Sequence, residues 1–343
     1  MVRVSRRTEV IEGIDPKSIP YDDLIAANKP FVLKGGAADW PLVAKGLQSA
    51  DAAIDYILGF DAGRPIVGYT GHPGSEGVYF YNDDLSGFNF DAGRYQLADY
   101  MQRIRTDMNN PDAPSYYIGS TDVDMFLPGF RAENDLTLNA STFDANPPLV
   151  SMWLGTRTTA SAHFDMSNNM ACCLVGRRRF TLFAPDQIAN LYPGPLEPTP
   201  GGQVVSMVDF RQPDYDRYPN FRNAEAVAEV AELEPGDILI YPAMWWHHVE
   251  ALDDFNVMVN YWWNVAAGHM DTPMNTVLHA LLSLRDRPMA EKEAWKNVFE
   301  YYIFGPSDRA GAHLPAAAAG PLGPMDPMTA RRLRANLLQR LNR

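Results

Sequence analysis

The chain has 343 residues, enough for one large core and an appendage. With 46% hydrophobic and 21% charged residues the composition is that of a folded globular chain and excludes a disordered one. The 29 basic and 42 acidic residues give a formal charge of −13 and a pI near 4.9. That balance argues against a broad basic face for nucleic acid and against docking on anionic lipid. No apolar run reaches the roughly 18 residues of a membrane-spanning helix. The basic N-terminus, Met1 to Arg7, leads into Thr8-Glu9-Val10-Ile11 with no apolar stretch, so the cytoplasm is the expected compartment.

Residues 1–113 read as a flanking α/β region. Tyr21-Asp-Asp-Leu-Ile-Ala-Ala follows a proline and is expected to be helical, Pro30-Phe-Val-Leu to be a short strand, and Trp40-Pro41 to mark a break. Strand-like pieces follow at Pro65-Ile-Val-Gly-Tyr and Gly77-Val-Tyr-Phe-Tyr. Over 93–104, Leu97, Tyr100, Met101 and Ile104 share a helix face.

From 114 to 268 short β-rich runs recur, separated by Gly and Pro corners: Leu149-Val-Ser-Met-Trp-Leu, Ala171-Cys-Cys-Leu-Val, Arg179-Phe-Thr-Leu-Phe, Asp237-Ile-Leu-Ile-Tyr and Asn256-Val-Met-Val-Asn. This pattern predicts an all-β sandwich or barrel with flanking helices. Adjacent Cys172 and Cys173 are badly placed to bridge each other or to hold zinc, and are expected on opposite faces of a buried strand. The section 190–225 is rich in Pro, Tyr and Asp and reads as an ordered insertion anchored by Tyr215, Tyr218 and Phe221. Beyond 269 the period becomes 3.6, with Met274, Val277, Leu278, Leu281 and Leu282 on one face, then Ala294, Trp295, Val298, Phe299 and Tyr302. A Gly/Ala/Pro-rich stretch follows, and a last helix carries Leu333, Leu337 and Leu341.

Two segments carry the chemistry. In His163-Phe164-Asp165 an extended backbone turns an imidazole and a carboxylate the same way. Trp245-Trp246-His247-His248 follows the Pro235-Gly236-Asp237 turn and one strand. Two histidines and one carboxylate suffice for a facial triad that leaves positions open on Fe(II), and either His247 or His248 completes it. Both segments also suit a packed strand end. No lysine occurs between Lys45 and Lys292, so an anion clamp in the β-region must use arginine or histidine. In Arg177-Arg178-Arg179 alternation sends Arg178 opposite to its neighbours, where its guanidinium is placed to hold a carboxylate bidentately.

The ordered set Ala162-His-Phe-Asp, Asn169, Gly176-Arg-Arg-Arg-Phe-Thr-Leu-Phe-Ala-Pro, Val208-Asp-Phe, Tyr218-Pro-Asn-Phe, Pro235-Gly-Asp, Tyr241-Pro-Ala-Met-Trp-Trp-His-His and Val259-Asn-Tyr-Trp resembles the cupin-like JmjC oxygenases. The likeness is nearest to the asparaginyl hydroxylase called factor inhibiting HIF and covers roughly residues 20–265. It implies a double-stranded β-helix and an Fe(II)- and 2-oxoglutarate-dependent dioxygenase that uses O2 to hydroxylate a peptide or protein side chain. It implies that His163, Asp165 and His247 hold the iron, with His248 beside the site. Arg178, where that relative has lysine, would anchor 2-oxoglutarate with Tyr117 (Tyr116 in the other register), and Asn169 and Asn260 would line the pocket. Trp246, Trp262 and Phe164 are expected in its walls. The C-terminal helices, 269–343, are expected to dimerise.

Two positions depart from the resemblance. Ala160 stands where the relative has a co-substrate-binding threonine, and Gln203-Val204-Val205-Ser206 replaces a substrate-binding stretch. The same chemistry on a small molecule, or a metal-binding cupin or dimeric interaction protein without turnover, are the alternatives.

Overall fold

The structure is a computed structural model that describes residue 2 and residues 4–342. Met1 and Arg3 of the basic N-terminal run, and Arg343, lie outside the described residues. The chain forms two compact units, Met1–Asn264 and Val265–Arg343.

Eight strands of the first unit make two four-stranded layers. In spatial order one layer is Glu229–Leu233, Arg178–Phe183, Trp246–Ala251 and Thr159–Phe164. The other is Ile238–Tyr241, Asn168–Val175, Asn256–Trp263 and Leu149–Gly155. Every pairing within each layer is antiparallel. The chain changes layer at each successive strand except across the insertion, where Arg178–Phe183 and Glu229–Leu233 are direct neighbours. This is the double-stranded β-helix.

Flanking strands widen both layers to sheets of six and nine strands. The larger sheet gains Phe31–Leu33 and Glu9–Ile11 at one side and Tyr116–Asp122, Ile66–Gly71 and Phe90–Tyr95 at the other.

Side-chain alternation then divides the molecule into three cores. Along Asn168–Val175, Met170, Cys172 and Leu174 face outward and pack with Leu42, Ile54, Ile57, Tyr100 and Ile104 of the helices Pro41–Gln48, Ala50–Leu58 and Leu97–Asp107. Ala171 and Cys173 face inward and meet Phe180, Leu182, Leu239 and Met258 between the layers. The two cysteines thus sit on opposite faces, free and fully buried, and burial raises both thiol pKa values. The third core lies on the outside of the smaller sheet. There Phe164, Phe183 and Trp246 are covered by Leu191, Phe210 and Phe221, with Tyr215 and Tyr218 packed against them. The insertion is therefore a fitted cover.

Three local readings change. Trp40-Pro41 opens a helix, because proline at the first helical position lacks only an N–H that would have no partner anyway. The helix expected over 93–104 begins at Leu97, since Phe90–Tyr95 pairs with Ile66–Gly71. In the second unit the helices Pro273–Leu284, Met289–Phe299 and Pro327–Leu341 form, but their apolar stripes stay open. Leu282 is 79% exposed, and Ala310 and Ala330 are the buried hydrophobics of this unit among the described residues. No helix among the described residues is long and apolar enough to cross a membrane.

Candidate metal centre

The site sits between the two layers. His163 and His247 are paired directly across the antiparallel strands Thr159–Phe164 and Trp246–Ala251, with ring centroids 4.3 Å apart. Asp165 follows two residues after His163 on the same side, and its Oδ2 lies 3.6 Å from His247 Nε2. One ligand atom from each of the three lies within 4.8 Å of the others, the one such cluster among the described residues.

The remaining contacts suit these side chains to a metal. His163 Nδ1 is 2.8 Å from the Ser161 carbonyl and His247 Nδ1 is 3.0 Å from the Trp245 carbonyl. Donating Nδ1–H to a carbonyl leaves each Nε2 lone pair free for an ion, the usual outer support of a ligating histidine. Burial pushes the His247 pKa down to about 4, with His163 adding to the shift and Asp165 opposing it. The imidazole is therefore neutral, as a ligand must be. Two imidazoles and a carboxylate on one side of an open cavity are the donor set of a facial triad.

The cavity has a volume of about 550 Å³. Arg178 lines it. This guanidinium is 2% exposed, its Nε has no hydrogen-bond partner, and no carboxylate pairs with it among the described residues. Its neighbours differ: Arg177 pairs with Asp253 at 2.7 Å and Arg179 with Glu232 at 3.0 Å, both on the other face. Gly176 makes the turn that sets this alternation. It has φ +68°, and a Cβ there would run into Asn256 and the Phe255 carbonyl. Burial lowers the Arg178 pKa, with Tyr117 and Cys173 opposing the shift. An uncompensated buried guanidinium is costly unless an anion joins it.

The other sequence-named residues converge here too. Tyr117 faces the cavity and burial pushes it up to about 12, although Arg178 pulls the other way. Tyr116, the residue of the other register, turns outward and donates its hydroxyl to Asp107 at 2.5 Å. Asn169 donates to the Tyr241 hydroxyl at 2.7 Å and, at a longer 3.5 Å, to Asp165, leaving its own carbonyl oxygen without a partner. Asn260 accepts from Trp153 Nε1 at 2.8 Å. Ala160, Ser161, Gln203 and Val205 also border the cavity.

Two expected wall residues are corrected. Trp246 and Phe164 point into the outer core, because each is one residue from an inward-facing histidine; Trp262 does line the cavity. His248 likewise turns outward, stacked on Phe210 with centroids 4.3 Å apart, and burial pushes its pKa down to about 3. The sequence reading missed Tyr69, Tyr79, Phe90 and Trp153, which complete the aromatic wall. Tyr79 and Phe90 come from short strands far from the site in sequence; only the alternation around Tyr79 hinted at an inward face.

Fold and donor set define a double-stranded β-helix protein with a metal centre of the Fe(II)/2-oxoglutarate oxygenase type. The chain belongs to the cupin-like domain family, whose model matches residues 16–269. It is similar to lysine-specific demethylase 8 of Xenopus tropicalis, 25% identical over 256 residues, which covers 71% of this chain and 50% of that protein. It is also similar to HSPB1-associated protein 1 of Homo sapiens, 30% identical over 154 residues (43% and 31%). JmjC domain-containing protein D of Dictyostelium discoideum is 30% identical over 172 residues (50% and 33%). The chain thus spans half or less of the length of these relatives. Among solved structures, the X-ray structure of E. coli ycfD aligns with TM-score 0.45 and 14% identity, over 95% of this chain and 68% of that one.

Proposed function

We propose that the protein is an Fe(II)- and 2-oxoglutarate-dependent dioxygenase that hydroxylates a C–H bond of a peptide or protein side chain. The observation that carries this reading is the buried, unpaired Arg178 in the same cavity as the His163, Asp165 and His247 cluster. A metal-binding cupin without turnover has no use for such a cation.

In this reading His163, Asp165 and His247 hold the iron. Arg178 and the Tyr117 hydroxyl hold the far carboxylate of 2-oxoglutarate, and Asn169 and Asn260 border both. Bound iron supplies the oxidation: 2-oxoglutarate and O2 become succinate and CO2, with the second oxygen atom inserted into the substrate C–H bond. The chain supplies position. Ser161 and Trp245 carbonyls fix the two imidazoles, Asn169 steadies Asp165, and the aromatic wall of Tyr69, Tyr79, Phe90, Trp153 and Trp262 keeps water from the reacting centre.

The resemblance to an asparaginyl hydroxylase makes a polar side chain the first substrate to try. Val204 and Val205, both buried, stand where that relative binds its peptide, so its own substrate is not expected to be shared. The names of two relatives, a lysine-specific demethylase and a JmjC domain-containing protein, are compatible with a protein substrate. A small molecule of similar size is the second reading, favoured by the 550 Å³ cavity. The division into a flanking region 1–113, the barrel 114–268 and helices 269–343 belongs to the same proposal. So does a homodimer formed through those helices, where Val277, Leu278, Leu282 and Val298 are exposed. Two free cysteines suit a reducing, cytoplasmic compartment.

The test is succinate formation from 2-oxoglutarate by protein loaded with Fe(II), with and without a peptide panel. Turnover that requires iron and rises with one peptide, alongside a one-oxygen mass gain in it, supports the reading. Absence of 2-oxoglutarate binding to the metal-loaded protein would overturn it.

A further inference from the structure

The strand Trp246–Ala251 has two faces, and only one has been given a role. Alternation sends His247 inward and His248 outward. By register the cross-strand neighbour of His248 is Thr181, and that of Thr181 on its other side is Val230. His248 and Thr181 are each 5% exposed, and His248 Nδ1 is a buried polar atom with no hydrogen-bond partner among the described residues. Both line a cavity of about 310 Å³ on the outer face of the six-stranded sheet. The insertion covers most of that face, packing Leu191 and Phe221 against Phe183 and Trp246 of the sheet, but stops at Phe210, whose ring lies over the imidazole. A buried polar atom left without a partner is costly, and a ligand in the cavity would relieve that cost.

We propose that this cavity is a second binding site, taking a small neutral molecule with an amide-like donor–acceptor edge and a flat apolar body. The Thr181 hydroxyl offers both a donor and an acceptor, and His248 presents its ring nitrogens beside it. Phe210 and Val230 supply the apolar wall. The rim is charged but already balanced. Glu232 bridges Arg7 at 3.1 Å and Arg179 at 3.0 Å, Glu250 lies 3.9 Å from Arg179, and Arg211 is held by Asp209 and Glu76. A charged ligand would have to displace one of these pairs, whereas a neutral one need not. The volume lies at the lower end for ligand pockets and suits a single ring with one polar group. The site does not depend on the oxygenase reading, since the sheet separates it from the iron-binding face.

The probe is benzamide, titrated against the full chain by saturation-transfer NMR, with benzoate and benzylamine as charged comparators. Saturable benzamide binding is expected, weakened about 3–10-fold by the isosteric Thr181→Val, which removes one hydrogen bond. Val230→Phe, which fills the cavity, should abolish it. Benzamide that never saturates, or that binds Thr181→Val as well as the parent, overturns the site. Tighter binding of either charged comparator overturns the ligand class.

Discussion

His247 faces His163 across the strand pair while its chain neighbour His248 stacks on Phe210 behind the sheet. One residue of sequence separates a group beside the cavity from a group in the outer core, because a strand turns successive side chains to opposite faces.

Removal of either inward donor should empty the centre. His163→Ala and Asp165→Ala are expected to weaken Fe(II) binding by more than the roughly 10–100-fold that loss of an outer partner costs. Metal titration and succinate release read this directly. His248→Phe, which keeps the stack on Phe210, should retain the metal; loss of iron in that variant with retention in His247→Phe would reverse the assignment.

Arg178→Ala should raise the 2-oxoglutarate Kd by on the order of 10²-fold or more, since a bidentate contact is two charge-assisted hydrogen bonds of about 1.5–3 kcal/mol each. Metal affinity should stay near the parent value. Calorimetry of the metal-loaded protein with 2-oxoglutarate separates the two effects, and Arg178→Lys should recover part of the loss.

The two adjacent tyrosines should part company. Tyr117→Phe is expected to cost about 2–12-fold in 2-oxoglutarate affinity, one hydrogen bond of about 0.5–1.5 kcal/mol. Tyr116→Phe loses the bond to Asp107 and should lower the unfolding free energy while leaving co-substrate affinity unchanged.

Trp246→Ala should destabilise the fold by about 3–5 kcal/mol in denaturant titration, as expected for emptying a fully buried aromatic site. Trp262→Ala, at the cavity wall, should cost clearly less.

The metal-free protein should lose stability in acid through its histidines. Burial holds His247 at about 4 and His248 at about 3, below the ordinary value of 6.5. Between those values the unfolded chain binds more protons than the folded one, so stability falls as pH drops from near 7 toward 4. Urea unfolding across that range should show the slope, and His248→Phe should flatten it.

The elements near the site were legible because their signals are local. Period-two alternation around His163 and Asp165, the glycine turn before Arg178 and the apolar runs of the barrel strands each need only a few neighbouring residues to be read. The start of the helix at Leu97 was less legible, because the pairing of Phe90–Tyr95 with a distant strand overrides the helical stripe. The aromatic wall was harder still. Tyr69, Tyr79 and Phe90 reach the cavity from outside the barrel strands, and no local period connects them to His163.

By itself, then, the order of residues determined which side chains share a face, where the chain turns and which donor types are present, since those follow from backbone geometry and covalent spacing. Only the tertiary structure decided that His247 meets His163, that Arg178 lacks a counter-charge, and that Trp246 belongs to the outer core. Each of those depends on strand register and on which layer covers a face, and both are settled by packing between segments far apart in the chain.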